Sequence, residues 1–194
     1  MAIIRLGDIS TIQIGLILAR KKSDEVSQYV YKLLTLKSLE SNGINPEVIT
    51  CYYSKESLQN EYLTKTGTIV MKLSFPFHPA VITKETEGFL IPSQMVSIKP
   101  AKPVLAEYLC LYLSQNFVAE YLLSNYFWIA QKSITVESLA NLQIRIPPLK
   151  NQQAICEYHQ TYLHLCALKK KLEKEEETMM KHIFSVLSKT QELP

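Results

Sequence analysis

The chain after Leu149 carries apolar residues at the spacing of one long helix. Ile155, Tyr162 and Ile183 fall on one seven-residue row, which Lys169 and Glu176 interrupt. The row three residues later is apolar throughout, with Tyr158, Leu165, Leu172, Met179 and Val186. No glycine follows Leu149, and the only later proline is the last residue. The pattern predicts a helix from about Lys150 to about Ser188 with a coiled-coil seam.

Such a helix would be about 55 to 60 Å long, which exceeds the expected width of the preceding domain. Part of it must therefore project, and an exposed apolar seam needs a partner helix. We expect the chain to dimerise through Ile155, Tyr158, Tyr162, Leu165, Leu172, Met179 and Ile183.

The first hundred residues show a different pattern, with short segments rich in β-formers and bounded by glycine, proline or polar clusters. We predict strands at Ile12–Gly15, Tyr29–Leu34, Ile69–Leu73, Ala80–Ile82, Phe89–Ile91 and Met95–Ile98. Val48–Tyr53 is interpreted as another strand or an ordered loop. One amphipathic helix is predicted from Val104 to Leu122, and a last strand, Leu142–Ile146, stops at a double proline. The fold class is α+β: a mainly β domain with accessory helices over residues 1–149, then a long coiled-coil helix over residues 150–194.

Composition narrows the class of protein without naming a partner. The chain is 47% apolar and 20% charged, which favours a globular fold, and its net charge of +3 permits nucleic acid without arguing for it. The four cysteines form no C-x-x-C pair, and we interpret them as reduced thiols. No signal peptide or run of about 18 apolar residues is present, so a cytoplasmic protein without membrane insertion is expected.

Catalytic chemistry finds little support in the sequence. The five glycines lie far apart, so no phosphate-binding loop can form. Three of the four histidines fall on the predicted terminal helix, and His78 stands between prolines with no acidic residue close in sequence. We therefore predict no nucleotide-dependent catalysis, no metal site and no cofactor.

Three stretches resemble a known family, the DNA-specificity subunits of type I restriction-modification systems. They are Arg5–Gly15, with its leucine-glycine-aspartate start; Gly67–Met71, with Thr68 in place of the usual acid; and the junction Gln131–Ile155, where Pro147-Pro148 leads into the long helix. Asn151 stands where glutamate is commoner.

The resemblance implies a non-catalytic subunit that binds double-stranded DNA. In this family a methyltransferase subunit and a restriction subunit carry the enzymatic activities, and two recognition domains each read half of a split site. This chain has one such domain and one helix, so it resembles half of a specificity subunit. It is expected to form a homodimer or to pair with another specificity subunit.

Loops between strands are the expected place for base contacts, because a β scaffold holds them rigid. Arginine and lysine suit guanine edges or phosphates, and glutamine suits adenine. The candidates are Arg20, Lys21, Lys22, Lys72, Ser74, His78, Gln131, Lys132 and Ser133. Tyr126, Phe127 and Trp128 could stack on an extruded base, although core packing is the favoured interpretation.

Two alternatives stay open. A coiled-coil adaptor without a DNA role explains the helix but not the β domain or the junction. A recognition fragment of a fused modification enzyme shares the domain, but it should carry an N-P-P-aromatic motif, and Asn45-Pro46-Glu47 is the nearest match.

Overall fold

The computed structural model describes residues 2–23, 27–41, 43–125 and 133–189. It divides into two compact units, Met1–Gln153 and Ala154–Pro194. Each unit is described by itself.

The first unit is built around an antiparallel sheet of four strands in the order β2-β9-β7-β8. Three two-stranded sheets accompany it and pair β1 with β10, β3 with β6 and β4 with β5. The strands are β1 (Ala2–Arg5), β2 (Ser10–Ile14), β3 (Tyr29–Leu33), β4 (Leu39–Glu40), β5 (Gly43–Ile44), β6 (Thr50–Ser54), β7 (Ile69–Lys72), β8 (Pro79–Val81), β9 (Met95–Pro100) and β10 (Gln143–Ile146).

Four short helices complete the described part of this unit: α1 (Leu6–Ile9), α2 (Ala106–Leu113), α3 (Asn116–Ser124) and α4 (Val136–Ala140). A fifth helix, α5 (Leu149–Lys189), begins within the same unit. Single 3-10 turns occur at Leu18–Arg20, Pro46–Val48, Asn60–Tyr62 and Lys84–Thr86.

Strand β7 separates two apolar clusters, because side chains alternate between the faces of a strand. Ile69 and Met71 belong to the larger cluster, which includes Leu109 of α2 and Leu122 of α3. Val70 belongs to a second cluster on the opposite face, together with Leu39 of β4 and Ile82. All four residues of β7 are buried, so the strand has apolar neighbours on both faces.

Three sequence predictions of local structure differ from the structure. The single helix predicted over Val104–Leu122 is two helices, because Ser114 Oγ and Gln115 Nε2 both donate to the carbonyl of Leu111 at 2.8 Å, and Gln115 is extended. Such side-chain bonds compete with the helical backbone pattern. The strand predicted at Phe89–Ile91 contributes only isolated bridges through Leu90. Strand β1 was not predicted, because its residues do not alternate between apolar and polar, and it pairs with β10 at the other end of the domain.

The junction after the double proline is fixed by one buried amide. Gln152 is fully buried, its Nε2 donates to the carbonyl of Pro147 at 2.9 Å, and its Oε1 accepts the backbone N–H of Leu105 at 2.9 Å. A weaker bond of 3.3 Å runs from Nε2 to the carbonyl of Pro103. The amide thereby joins the start of α5 to the segment before α2.

The second unit is the remainder of α5, and its apolar side chains face solvent. Exposure ranges from 43% for Ile155 to 77% for Tyr158, with Leu165 at 58% and Leu172 at 55%. On the polar side, Lys171 and Glu175 lie one turn apart and form a weak ion pair of 3.8 Å. None of the helices in the described ranges is long and apolar enough to cross a membrane.

Candidate nucleic-acid interface

The first group of predicted DNA contacts lies between β2 and β3. Arg20 ends a 3-10 turn, and with Lys21 it lines an open cleft of about 560 Å³. The Lys21 ammonium is paired with Glu56 at 2.6 Å, and this hydrogen bond raises the pKa of Lys21. Lys22 makes a β-bridge to Ser54 at the end of β6. Part of this positive charge is therefore already balanced within the chain.

The second and third predicted groups meet at the loop between β7 and β8. Ser74 forms a β-bridge with Ser133, and the backbone N–H of Ile134 donates to the carbonyl of Leu73 at 2.7 Å. These bonds join two loops that are about sixty residues apart in the chain. Gln131 and Lys132, like the aromatic run Tyr126-Phe127-Trp128, lie outside the described residues.

Lys72 is the most unusual of these candidates, because it ends the central strand with only 8% of its surface exposed. By alternation it shares the face of Val70, toward β4 and β5. Its ammonium makes no hydrogen bond or ion pair with any residue that the structure describes, and burial lowers its pKa. The ammonium keeps some solvent contact, since no fully buried side-chain nitrogen or oxygen among the described residues lacks a hydrogen bond. A lysine so largely covered without a direct partner is still uncommon.

His78 and Glu40 lie close to Lys72 in the folded chain. Burial, and then the positive charge of Lys72, lower the pKa of His78, whereas the Glu40 carboxylate acts in the opposite direction on both groups. Glu40 is exposed and accepts a hydrogen bond from Nδ2 of Asn45 at 2.9 Å. The three side chains therefore form one electrostatically linked group, here called the Lys72 cluster.

Sequence reasoning missed Glu40 and the neighbouring Phe75. Glu40 acts electrostatically on Lys72 from the β4–β5 hairpin, more than thirty residues earlier in the chain, and no local sequence pattern predicts this interaction. Phe75 is 61% exposed at the β7–β8 loop, next to Ser74. One signal could have marked Lys72 itself, namely a charged residue within the otherwise apolar run Ile69–Leu73.

The seven predicted dimerisation residues all lie on α5, and each of them is exposed within the chain. Among the described residues, no group of histidine, cysteine, aspartate and glutamate is arranged to hold a metal ion.

A family model for the type I restriction modification DNA specificity domain matches residues 1–177. The chain belongs to this family. Its members are DNA specificity subunits, which recognise DNA and are themselves non-catalytic. The match covers the whole first unit and more than half of α5, so the specificity-domain assignment includes both the β-rich fold and the helix. A search of curated proteins finds no significant match.

Solved structures support the same fold. A chain from a type I restriction-modification system, studied for its complex assembly and conformational transition, has a TM-score of 0.66 at 19% identity. The HsdS subunit from Thermoanaerobacter tengcongensis has a TM-score of 0.61 at 19% identity, and the specificity subunit from M. genitalium has 0.52 at 13%.

These neighbours are much longer than this chain. The alignments cover 94%, 87% and 89% of this specificity-domain chain but only 43%, 39% and 42% of the three neighbours. The chain thus spans about two fifths of their length.

Proposed function

We propose that this chain reads one half of a bipartite DNA target as a recognition domain followed by the spacer helix of a specificity subunit. The observation that carries the proposal is the specificity-domain match over residues 1–177, which includes the β-rich domain and more than half of α5. In this proposal residues 1–149 bind the DNA and residues 150–194 set the spacing.

The partners follow from the family. A methyltransferase subunit would modify adenine, and a restriction subunit would cleave, while this chain supplies the sequence preference. The DNA-facing surface is proposed to include both groups of loops, Arg20–Lys22 and the Lys72 cluster with Ser74 and Ser133. Gln131 and Lys132, which lie outside the described residues, stay candidates from their position in the sequence.

The second recognition domain is proposed to come from a second copy, joined through α5. Thirteen large apolar side chains of this helix are at least 43% exposed, which is more than a solvated helix retains without a partner. Burying such side chains stabilises association by about 1.5 to 3 kcal/mol for each fully buried leucine or methionine.

Charge along the seam favours antiparallel pairing. In a parallel dimer in register, Lys169 would meet Lys169 and Glu176 would meet Glu176 of the second copy at seam positions. Antiparallel pairing avoids both contacts. In the register that overlaps the whole seam, Lys169 faces Leu172 and Leu165 faces Glu176. The same register pairs Ile155 with Val186, Tyr158 with Ile183 and Tyr162 with Met179.

The helix then acts as a spacer between two DNA half-sites. Its 41 residues span about 62 Å, whereas one turn of DNA is about 34 Å. Two domains that precede antiparallel helices would meet separate major-groove segments, with unread base pairs between them. Identical domains related by a dyad must read identical half-sites, so the target should be a split palindrome.

DNA reading is tested by selection from a random duplex pool with the partner methyltransferase present. The proposal expects enrichment of one bipartite sequence. Binding without sequence enrichment would reject DNA reading and favour the adaptor interpretation. Sedimentation of the isolated chain tests pairing separately: a monomer at micromolar concentration, or a dimer that persists after deletion of residues 152–194, would reject the helix as the dimer interface.

A further inference from the structure

Lys72 of the Lys72 cluster is a largely covered lysine whose charge interacts electrostatically with the Glu40 carboxylate without forming an ion pair. Only 8% of the Lys72 surface is exposed, and its ammonium has no hydrogen-bond or ion-pair partner among the described residues. The ammonium keeps some solvent contact, because the described residues include no fully buried side-chain nitrogen or oxygen without a hydrogen bond. Covering most of the side chain nevertheless removes part of the water around the charge, and no direct partner replaces it. A lysine in this state is expected where a ligand supplies the missing partner.

The surroundings of Lys72 limit which ligand fits. Glu40 presents an exposed carboxylate, which accepts a single hydrogen bond, from Asn45, among the residues that the structure describes. Because burial and Lys72 lower the pKa of His78, the imidazole adds no second positive charge at neutral pH. A phosphate would gain one cation and face one carboxylate, which is a poor anion site. A ligand that accepts a hydrogen bond from Lys72 and donates one to Glu40 is the better match.

The major-groove edge of a guanine·cytosine pair has this arrangement. Guanine presents the acceptors N7 and O6, cytosine presents the N4 amino donor beside them, and lysine and glutamate are side chains suited to those two kinds of group. We propose that Lys72 and Glu40 together read one guanine·cytosine pair in each half-site, with Lys72 donating to guanine and Glu40 accepting from cytosine. This inference rests on the proposed DNA-reading function.

Neighbouring groups favour access of a base edge to this position. Phe75 is 61% exposed at the loop that follows Lys72, and Ser74 and Ser133 are joined at the same loop. The backbone here is fixed, since the N–H of Lys72 donates to the carbonyl of Phe77 at 3.1 Å and the N–H of Leu73 donates to Gln94 at 2.9 Å. A rigid loop holds the reading groups in one geometry.

The test uses the full chain with its partner methyltransferase and the duplex selected from the random pool. Affinity is measured for the selected duplex and for duplexes with each base pair of the half-site replaced. Wild type is expected to lose about tenfold or more in affinity at one guanine·cytosine pair. Lys72→Met is expected to reduce that preference to about twofold or less while keeping the preferences at the other positions, and Glu40→Gln is expected to weaken it partially.

Lys65→Met is the matched control, because Lys65 is an exposed lysine of the same domain. It should leave every preference unchanged. Replacing single guanines with 7-deazaguanine supplies a test that needs no variant, since it removes the N7 acceptor. Wild type should be sensitive at the guanine that Lys72 reads, and Lys72→Met should be insensitive there.

Several results would overturn the inference. A uniform loss of affinity over all sequences, with the salt dependence reduced by about one ion, would place Lys72 on a phosphate. Unchanged selectivity in Lys72→Met would remove it from the interface. A lower Tm of that variant with unaltered base preferences would assign it a structural role, as would a wild type insensitive to 7-deazaguanine at every position. If wild type enriches no sequence at all, the proposed function itself fails, which is a different readout.

Discussion

The two units of this chain use apolar residues in opposite ways. In the first unit, large side chains such as Leu6, Ile69 and Leu109 are completely buried, and the fully buried amide of Gln152 forms hydrogen bonds through both its oxygen and its nitrogen. In the second unit, Leu165, Leu172 and Met179 are between 55% and 60% exposed. The first unit therefore buries its own core, whereas the helix leaves large apolar side chains exposed.

This difference separates what each unit contributes. A self-contained domain can hold side chains in fixed positions, and within it Lys72 is largely covered with no direct hydrogen-bond or ion-pair partner among the described residues. A helix with an exposed seam gains stability only by association. The predictions that follow test whether the two units can be altered independently.

The largest effect is expected from Leu165→Asp. Losing a buried leucine in both copies costs about 3 to 6 kcal/mol, so the dimer Kd should rise at least about a hundredfold. In the antiparallel register the new carboxylate also faces Glu176, whereas in Leu172→Asp it faces Lys169. Leu172→Asp should therefore weaken the dimer less, as measured by sedimentation equilibrium. Equal losses in the two variants would contradict this register, and Leu165→Asp combined with Glu176→Lys should recover part of the affinity.

A second prediction concerns the junction amide. Gln152→Leu leaves the N–H of Leu105 and the carbonyl of Pro147 without their partner, at a cost of about 2 to 4 kcal/mol. The Tm of the first unit should fall by about 5 to 15 °C in thermal unfolding followed by circular dichroism. Gln153→Leu is the control, because Gln153 is exposed one position later. Equal Tm values for the two variants would show that the amide does not fix the junction.

A third prediction concerns pH. The pKa of His78 is lowered in the folded chain, so the unfolded chain takes up this proton first as pH falls. The free energy of unfolding should therefore decline between about pH 7.5 and pH 5.5, and His78→Gln should remove part of that decline. Denaturant titrations at several pH values measure it. His164→Gln, an exposed position of α5, should keep the full decline; an identical pH dependence in His78→Gln would contradict the assigned cause.

The smallest effect is expected from Lys21→Ala. The Lys21–Glu56 pair lies at the surface, where ion pairs contribute little to stability. Dimer Kd and Tm should both stay at the wild-type values in sedimentation and thermal unfolding. A weaker dimer would show that the first unit takes part in pairing. It would contradict the proposal that DNA binding and dimerisation belong to different units.

Periodicity explains why the helix and several strands could be predicted. The seven-residue rows after Leu149 depend only on local spacing, and α5 indeed runs from Leu149 to Lys189. The junction motif is also local in sequence and indicated the family, and the family match over residues 1–177 confirms that prediction. Strands β2, β3, β7 and β9 lie where alternation or β-formers predicted them.

Contacts between distant segments could not be predicted in the same way. The pairing of β1 with β10 joins the two ends of the domain, and the break between α2 and α3 depends on Ser114 and Gln115 bonding back to Leu111. The approach of Glu40 to Lys72 depends on where a hairpin packs. The predicted contacts Arg20, Lys21 and Lys22 were chosen by charge alone, which does not reveal that Lys21 is paired with Glu56.

The most direct test of the central claim is a map of methylated adenines in a host that expresses this chain with its methyltransferase and no other specificity subunit. Two copies joined antiparallel should produce methylation at one palindromic target, with identical half-sites separated by a gap of fixed length. A continuous target, or two different half-sites, would contradict the pairing of two identical recognition domains through α5.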